Sequence, residues 1–146
     1  MILYLDASAL VKRYIVEAGS EQVSSWISGA DAVVTVILSR TEVPAAITKA
    51  LRMGWITGAE AEMALQPFRS EWENLQRLPV NELTVARGDT LACQLGLRGS
   101  NAIHLAAALL WQEALGEAVT MATYDAHLWE AAKQVGMAVL PDSLSG

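Results

Sequence analysis

Short apolar runs alternate with helical stretches along the whole chain, and this alternation limits the fold more than any other feature. Residues 2–5 (Ile-Leu-Tyr-Leu) stop at Asp6, as a strand buried on both faces does. Residues 32–36 (Ala-Val-Val-Thr-Val) are rich in β-branched side chains and bounded by Asp31 and Ser39, which marks a second strand. Residues 80–83, 118–122 and 137–140 supply three more, the last stopped by Pro141. Helices are expected over 8–15, 20–27, 39–53, 57–78, 85–97, 101–115 and 125–135. Ser20 and Ser100 read as N-caps, and Ser39-Arg40-Thr41-Glu42 and Thr57-Gly58-Ala59-Glu60 both match the capping box. Pro67 should kink or split the helix that contains it. Strands alternating with helices predict a parallel sheet of about five short strands covered on both faces, an α/β three-layer architecture.

Composition narrows the setting. A chain of 146 residues fits one domain over 1–146, and 53% hydrophobic against 18% charged residues excludes disorder. The lone Cys93 excludes a disulfide framework and a four-cysteine zinc site, and fits a reducing interior. Mean hydropathy of +0.29 invites a membrane reading. The longest wholly apolar run covers only residues 105–111, however, well short of the ~18–20 needed to span. Met1 leads directly into the first strand without a basic leader or cleavage site, so a soluble, cytoplasmic protein with no membrane partner is expected. A net charge of −6 leaves no basic stripe for ordinary nucleic-acid binding. It does not exclude a nuclease whose carboxylates hold metal cations that meet the phosphate.

In open parallel sheets, ligands sit beyond the carboxyl ends of the strands, where strand order reverses. Asp6 ends strand one, Glu42 lies in the first turn after strand two, Asp125 opens the helix after strand four, and Asn101 opens the helix before strand four. Each has an ordinary explanation: Asp6 and Asp125 as helix caps, Glu42 as the third residue of a capping box, Asn101 as a first-turn residue behind Ser100. Together they make a set of oxygen donors suited to Mg²⁺ or Mn²⁺. Such a cation serves phosphodiester hydrolysis without cysteine, histidine or a basic patch.

At this point a specific resemblance appears. The opening Met1-Ile2-Leu3-Tyr4-Leu5-Asp6-Ala7-Ser8-Ala9-Leu10-Val11-Lys12 resembles that of PIN domains, in particular the VapC-type ribonuclease toxins of toxin–antitoxin pairs. Thr41-Glu42-Val43-Pro44-Ala45-Ala46 resembles the second acidic motif of that family. Residues 98–108, Arg-Gly-Ser-Asn-Ala-Ile-His-Leu-Ala-Ala-Ala, resemble the third, and residues 121–128, Met-Ala-Thr-Tyr-Asp-Ala-His-Leu, the fourth. Any one motif is weak, but four in order across essentially the whole chain are specific.

The resemblance implies a Mg²⁺- or Mn²⁺-dependent endoribonuclease whose hydrolysis leaves a 5′-phosphate and a 3′-hydroxyl. It further implies a cognate antitoxin and a homodimer. Asp6, Glu42 and Asp125 would be the metal-site carboxylates and Asn101 the fourth site position. Thr123 would steady a bound water or the Asp125 carboxylate, and Ser8 would support Asp6.

Where the family pattern has Asp, this chain has Asn101, which offers one neutral carbonyl oxygen and cannot act as a base. One compensating negative charge is lost, so an alternative reading is a catalytically silent PIN domain that binds RNA or an antitoxin. Asp89 opens the preceding helix in the wrong motif context to substitute. His104, three residues after Asn101, reads as a packed histidine before it reads as a general base, and His127 as a surface or supporting group. Lys12, Arg13, Arg40 and Arg98 are candidate contacts to RNA phosphates, against the plainer reading of a solvated face. Trp55, Phe68 and Trp72 belong to a helix pair that in the family forms the antitoxin groove; core packing is the default, and exposure of any ring would point to a partner. An aspartyl-phosphate enzyme falls behind because Ser8 stands where a second Asp is needed, and no G-x-x-x-x-G-K-[ST] loop is present.

Overall fold

The structure is a computed structural model describing residues 1–144. Five parallel strands, β1 (Ile2–Leu5), β2 (Ala32–Val36), β3 (Gln76–Leu78), β4 (Val119–Ala122) and β5 (Ala138–Leu140), form one sheet in the order β3-β2-β1-β4-β5. The chain starts on the central strand, steps outward to β2 and β3, then returns to the other side of β1 for β4 and β5. Strand order therefore reverses between β1 and β4, which pair with Leu5 opposite Ala122.

The helices divide by face. On one side lie α1 (Ala7–Leu10), α2 (Ser20–Gly29), α3 (Ser39–Arg52) and α4 (Gly58–Glu71); on the other lie α5 (Glu82–Leu95), α6 (Gly99–Leu115) and α7 (Ala126–Gln134). The period-2 alternation of β1 sets the two cores. Leu3 and Leu5 point into a cluster with Leu10, Val23, Val43, Ile47, Phe68 and Trp72. Tyr4 points the opposite way, into a cluster with Leu91, Leu105, Met121 and Leu128. The expected three-layer α/β architecture is present, and no helix is long and apolar enough to cross a membrane among the described residues.

Several local expectations are corrected. Strand three lies at Gln76–Leu78, not at 80–83. α4 runs unbroken through Pro67 and ends at Glu71, followed by a single 3-10 turn (Trp72–Asn74) rather than a helix reaching residue 78. Pro79 closes β3, and Asn81 caps α5 in a box with Thr84, so the segment read as strand is a turn and a helix start. Ser20 is not a cap: Gly19, at φ 93°, precedes α2, while the Ser20 hydroxyl donates to the Ile15 carbonyl. The Ser100 cap is likewise absent, since α6 begins at Gly99 behind Arg98. The Thr57–Glu60 box is present in both directions.

The Ser39–Glu42 box fails for a physical reason. Leu38 already has helical backbone angles, and the Ser39 hydroxyl is engaged with Thr35 Oγ1 at 2.7 Å. Thr35 in turn donates to the Leu5 carbonyl at 2.7 Å. This buried pair ties the end of β1 to the start of α3, and it leaves the Glu42 carboxylate free to point elsewhere.

Candidate active site

Asp6 follows β1 and caps α1, accepting from the Ala9 N–H at 3.0 Å. The cap and site readings thus coexist in one side chain. Its Oδ1 also accepts from Ser8 Oγ at 2.7 Å and its Oδ2 from Thr123 Oγ1 at 2.7 Å. Asp6 is only 3% exposed, and burial pushes its carboxyl upward. The opposing influences are the charge of His104 when protonated, then the Thr123, Ser8 and Ala9 hydrogen bonds, which favour the ionised form but do not cancel the desolvation.

Thr123 and Ser8 brace the two strand ends against each other. Thr123 Oγ1 accepts from the Asp125 N–H at 3.0 Å, and Ser8 Oγ accepts from the Tyr124 N–H at 2.9 Å. Asp125 caps α7 through Oδ1, which accepts from Leu128 N–H, and its Oδ2 faces Arg98 at 3.5 Å. These bonds fix Asp6 and Asp125 on either side of the point where strand order reverses.

Glu42 sits in the first turn of α3, with Oε1 2.6 Å from His104 Nε2. His104 is 2% exposed, and its Nδ1 lies 2.8 Å from the hydroxyl of the fully buried Tyr4. Packing was the plainer expectation for this histidine. It is buried, but it also grips a site carboxylate, as its place one turn after Asn101 on α6 allows. Tyr4 carried no sequence signal beyond its strand, because a tyrosine in an apolar run looks like core.

Asp6, Glu42, Asn101 and Asp125 line one cavity of about 210 Å³ together with Ala7, Ser8, Arg98, Ser100 and His104. Four separate segments meet there, beyond the carboxyl ends of β1, β2 and β4. Asn101 is 7% exposed, and its buried Nδ2 has no hydrogen-bond partner among the described residues. Among the described residues, no three His, Cys, Asp or Glu side chains form a ready cage for a metal ion. The donor chemistry nevertheless fits a hard cation: three carboxylates and an amide, no thiolate, and a histidine with both nitrogens engaged.

The remaining candidates separate by geometry. Arg98 lines the cavity and its side chain is 77% exposed. Lys12 is spent on Glu17 and the Ala18 carbonyl, and Arg13 on Glu71. Arg40 lies over the Phe68 ring at 5.7 Å. Asp89 and His127 are exposed and line none of this cavity. Phe68 and Trp72 are core, whereas Trp55 is 66% exposed.

The ribonucleases VapC45 and VapC49 of Mycobacterium tuberculosis are each 32% identical to this chain over 144 residues, covering 98% of it and 97% of their own length. The chain belongs to the VapC ribonuclease family. No protein-family model matches it. Among solved structures, FitAcB from Neisseria gonorrhoeae superposes with a TM-score of 0.67 at 18% identity, covering 94% of this chain and 96% of that one. A toxin–antitoxin complex from Klebsiella pneumoniae gives 0.66 at 14% identity over 99% of this chain and 100% of its own. These two bear out the α/β fold.

Proposed function

We propose that this chain is a divalent-metal-dependent endoribonuclease, the toxin of a toxin–antitoxin pair, acting as a single domain over residues 1–146. The observation that carries the reading is the convergence of Asp6, Glu42, Asp125 and Asn101 in one cavity at the strand ends of a VapC-family chain. Asp6, Glu42 and Asp125, with the Asn101 carbonyl, would hold Mg²⁺ or Mn²⁺. When bound, such a cation supplies Lewis acidity toward water and toward the phosphodiester. The chain's own residues do the rest. Ser8 and Thr123 hold the Asp6 carboxylate in one orientation by donating to each of its oxygens. Arg98 presents a cation at the mouth of an otherwise acidic cavity, where a phosphate must enter.

The exposed Trp55 supports a protein partner over the α3–α4 hairpin, and the antitoxin is the partner proposed. A homodimer and a cytoplasmic site of action complete the reading.

Asn101 favours one second reading, a silent domain that binds RNA or antitoxin without cutting. The two separate on cleavage of structured RNAs with Mg²⁺ or Mn²⁺ by the chain and its Asn101→Asp form. Cutting by both makes three carboxylates sufficient. Cutting by the Asp form alone makes Asn101 a disabling substitution in an intact site. Cutting by neither supports the binding module.

A further inference from the structure

Tyr4, His104 and Glu42 form a hydrogen-bonded line from the buried middle of β1 to the rim of the cavity. The steps are 2.8 Å from Tyr4 Oη to His104 Nδ1 and 2.6 Å from His104 Nε2 to Glu42 Oε1. The line crosses the end of the sheet, because His104 belongs to the layer of α6 and Glu42 to the layer of α3.

One proton arrangement gives every atom in it a partner. The Tyr4 hydroxyl donates to Nδ1, and Nε2–H donates to the Glu42 carboxylate. The reverse arrangement, with Nδ1–H donating to Tyr4, leaves a fully buried phenolic O–H with no acceptor among the described residues. Tyr4 and His104 rings also meet edge to face, with centroids 6.0 Å apart, which holds the imidazole plane. Glu42 Oε2 makes no hydrogen bond within the described residues, and the side chain is 27% exposed.

We propose that His104 is a positioning residue for Glu42, locked by Tyr4 into the Nε2–H tautomer so that Oε1 is held and Oε2 is presented to the cavity. With both ring nitrogens engaged by Tyr4 and Glu42, His104 acts through Glu42. The proposal rests on the reading of Glu42 as a site carboxylate. It goes beyond that reading by assigning a task to two buried residues outside the proposed metal-holding set.

The test uses the metal-free full chain with ¹⁵N-labelled histidine, and Mn²⁺ alone as the probe. His104 and the exposed His127 are the only two histidines, so the spectrum assigns readily. At neutral pH, His104 should show a pyridine-like Nδ1 and a pyrrole-like Nε2, and Tyr4→Phe should erase that preference. Mn²⁺ affinity measured by calorimetry should fall about 10–100-fold in His104→Leu, the range for losing an orienting partner of a metal ligand. His104→Gln keeps an amide donor for Glu42 and should recover most of that loss. Because His104→Leu alone strands the buried Tyr4 hydroxyl, the thermal midpoint is read in the Tyr4→Phe, His104→Leu double variant. That variant should match Tyr4→Phe in midpoint while losing Mn²⁺ affinity, a split that a merely structural role does not predict.

An Nδ1–H tautomer in the unmodified chain overturns the proposal, as does His104→Leu binding Mn²⁺ as tightly as the unmodified chain. An unmodified chain that binds no Mn²⁺ overturns the metal-site reading instead. The tautomer spectrum and its response to Tyr4→Phe then decide the positioning role alone.

Discussion

The carboxylate of Asp6 is defined by the hydroxyls around it. Thr123 is fully buried, donates to Asp6 Oδ2 and accepts from the Asp125 N–H, so one side chain sets two site residues. Thr123→Val keeps the shape and removes the hydroxyl. Hydrogen bonds to charged groups contribute roughly 1.5–3 kcal/mol, so this variant should lose about that much stability in urea unfolding. It should also lower cleavage, because Asp6 loses its fixed orientation. Stability unchanged within about 0.5 kcal/mol would mean that the Thr123 bond is not made. That Asp6, Glu42, Asn101 and Asp125 would meet was legible in the sequence, since Asp6 ends an apolar run and the other three open helices beside the strand ends. The Tyr4–His104 pair was not, because burial alone does not show which polar atoms meet.

At the scale of elements, the sequence was clearest where apolar side chains report burial and weakest at the edge of the sheet. β1, β2 and β4 are apolar runs and stand where expected. β3 contributes Gln76 and Arg77, both exposed, so it carries no hydrophobic signature and is recognised only by its pairing with β2. The Ser39–Glu42 motif matched a cap pattern and was used for something else, because a motif does not show which partner is closest.

Glu71, the last residue of α4, joins that helix to the segment after α1. It accepts from Arg13 Nε at 2.8 Å and from Tyr14 Oη at 2.8 Å. Partial burial pushes the Glu71 carboxyl up, but the Arg13 and Tyr14 hydrogen bonds and the Arg13 charge outweigh it, so the group titrates below the ordinary carboxylate range. A depressed folded-state value means stability that is present above the ordinary range and is lost as pH falls through the depressed one. Glu71→Gln should therefore lower stability most in the neutral region and least at acid pH, which flattens the acid side of the stability–pH curve. The same acid slope in both proteins, read from thermal midpoints between neutral and acidic pH, would remove Glu71 from that account.

On the scale of the whole molecule, two cores pack against one sheet, and the surface that does not serve them is informative. Phe68 is fully buried in the α1–α4 layer while Trp55, close by in sequence, is 66% exposed. Truncating Phe68 to Ala should cost about 3–5 kcal/mol. Truncating Trp55 to Ala should leave stability within about 0.5 kcal/mol and weaken antitoxin binding. Denaturant unfolding of both variants, with a pull-down by the cognate antitoxin, checks the pair; equal losses of stability would place Trp55 in the core.

Hydrolysis by a carboxylate-held divalent cation leaves its signature in the chemistry of the RNA ends. Structured RNA incubated with the chain, or with its Asn101→Asp form if the native residue disables the site, should yield fragments bearing 5′-phosphate and 3′-hydroxyl ends. EDTA should stop the cleavage, and so should Asp6→Asn. Fragments ending in a 2′,3′-cyclic phosphate, or cleavage that persists in EDTA, would contradict the account.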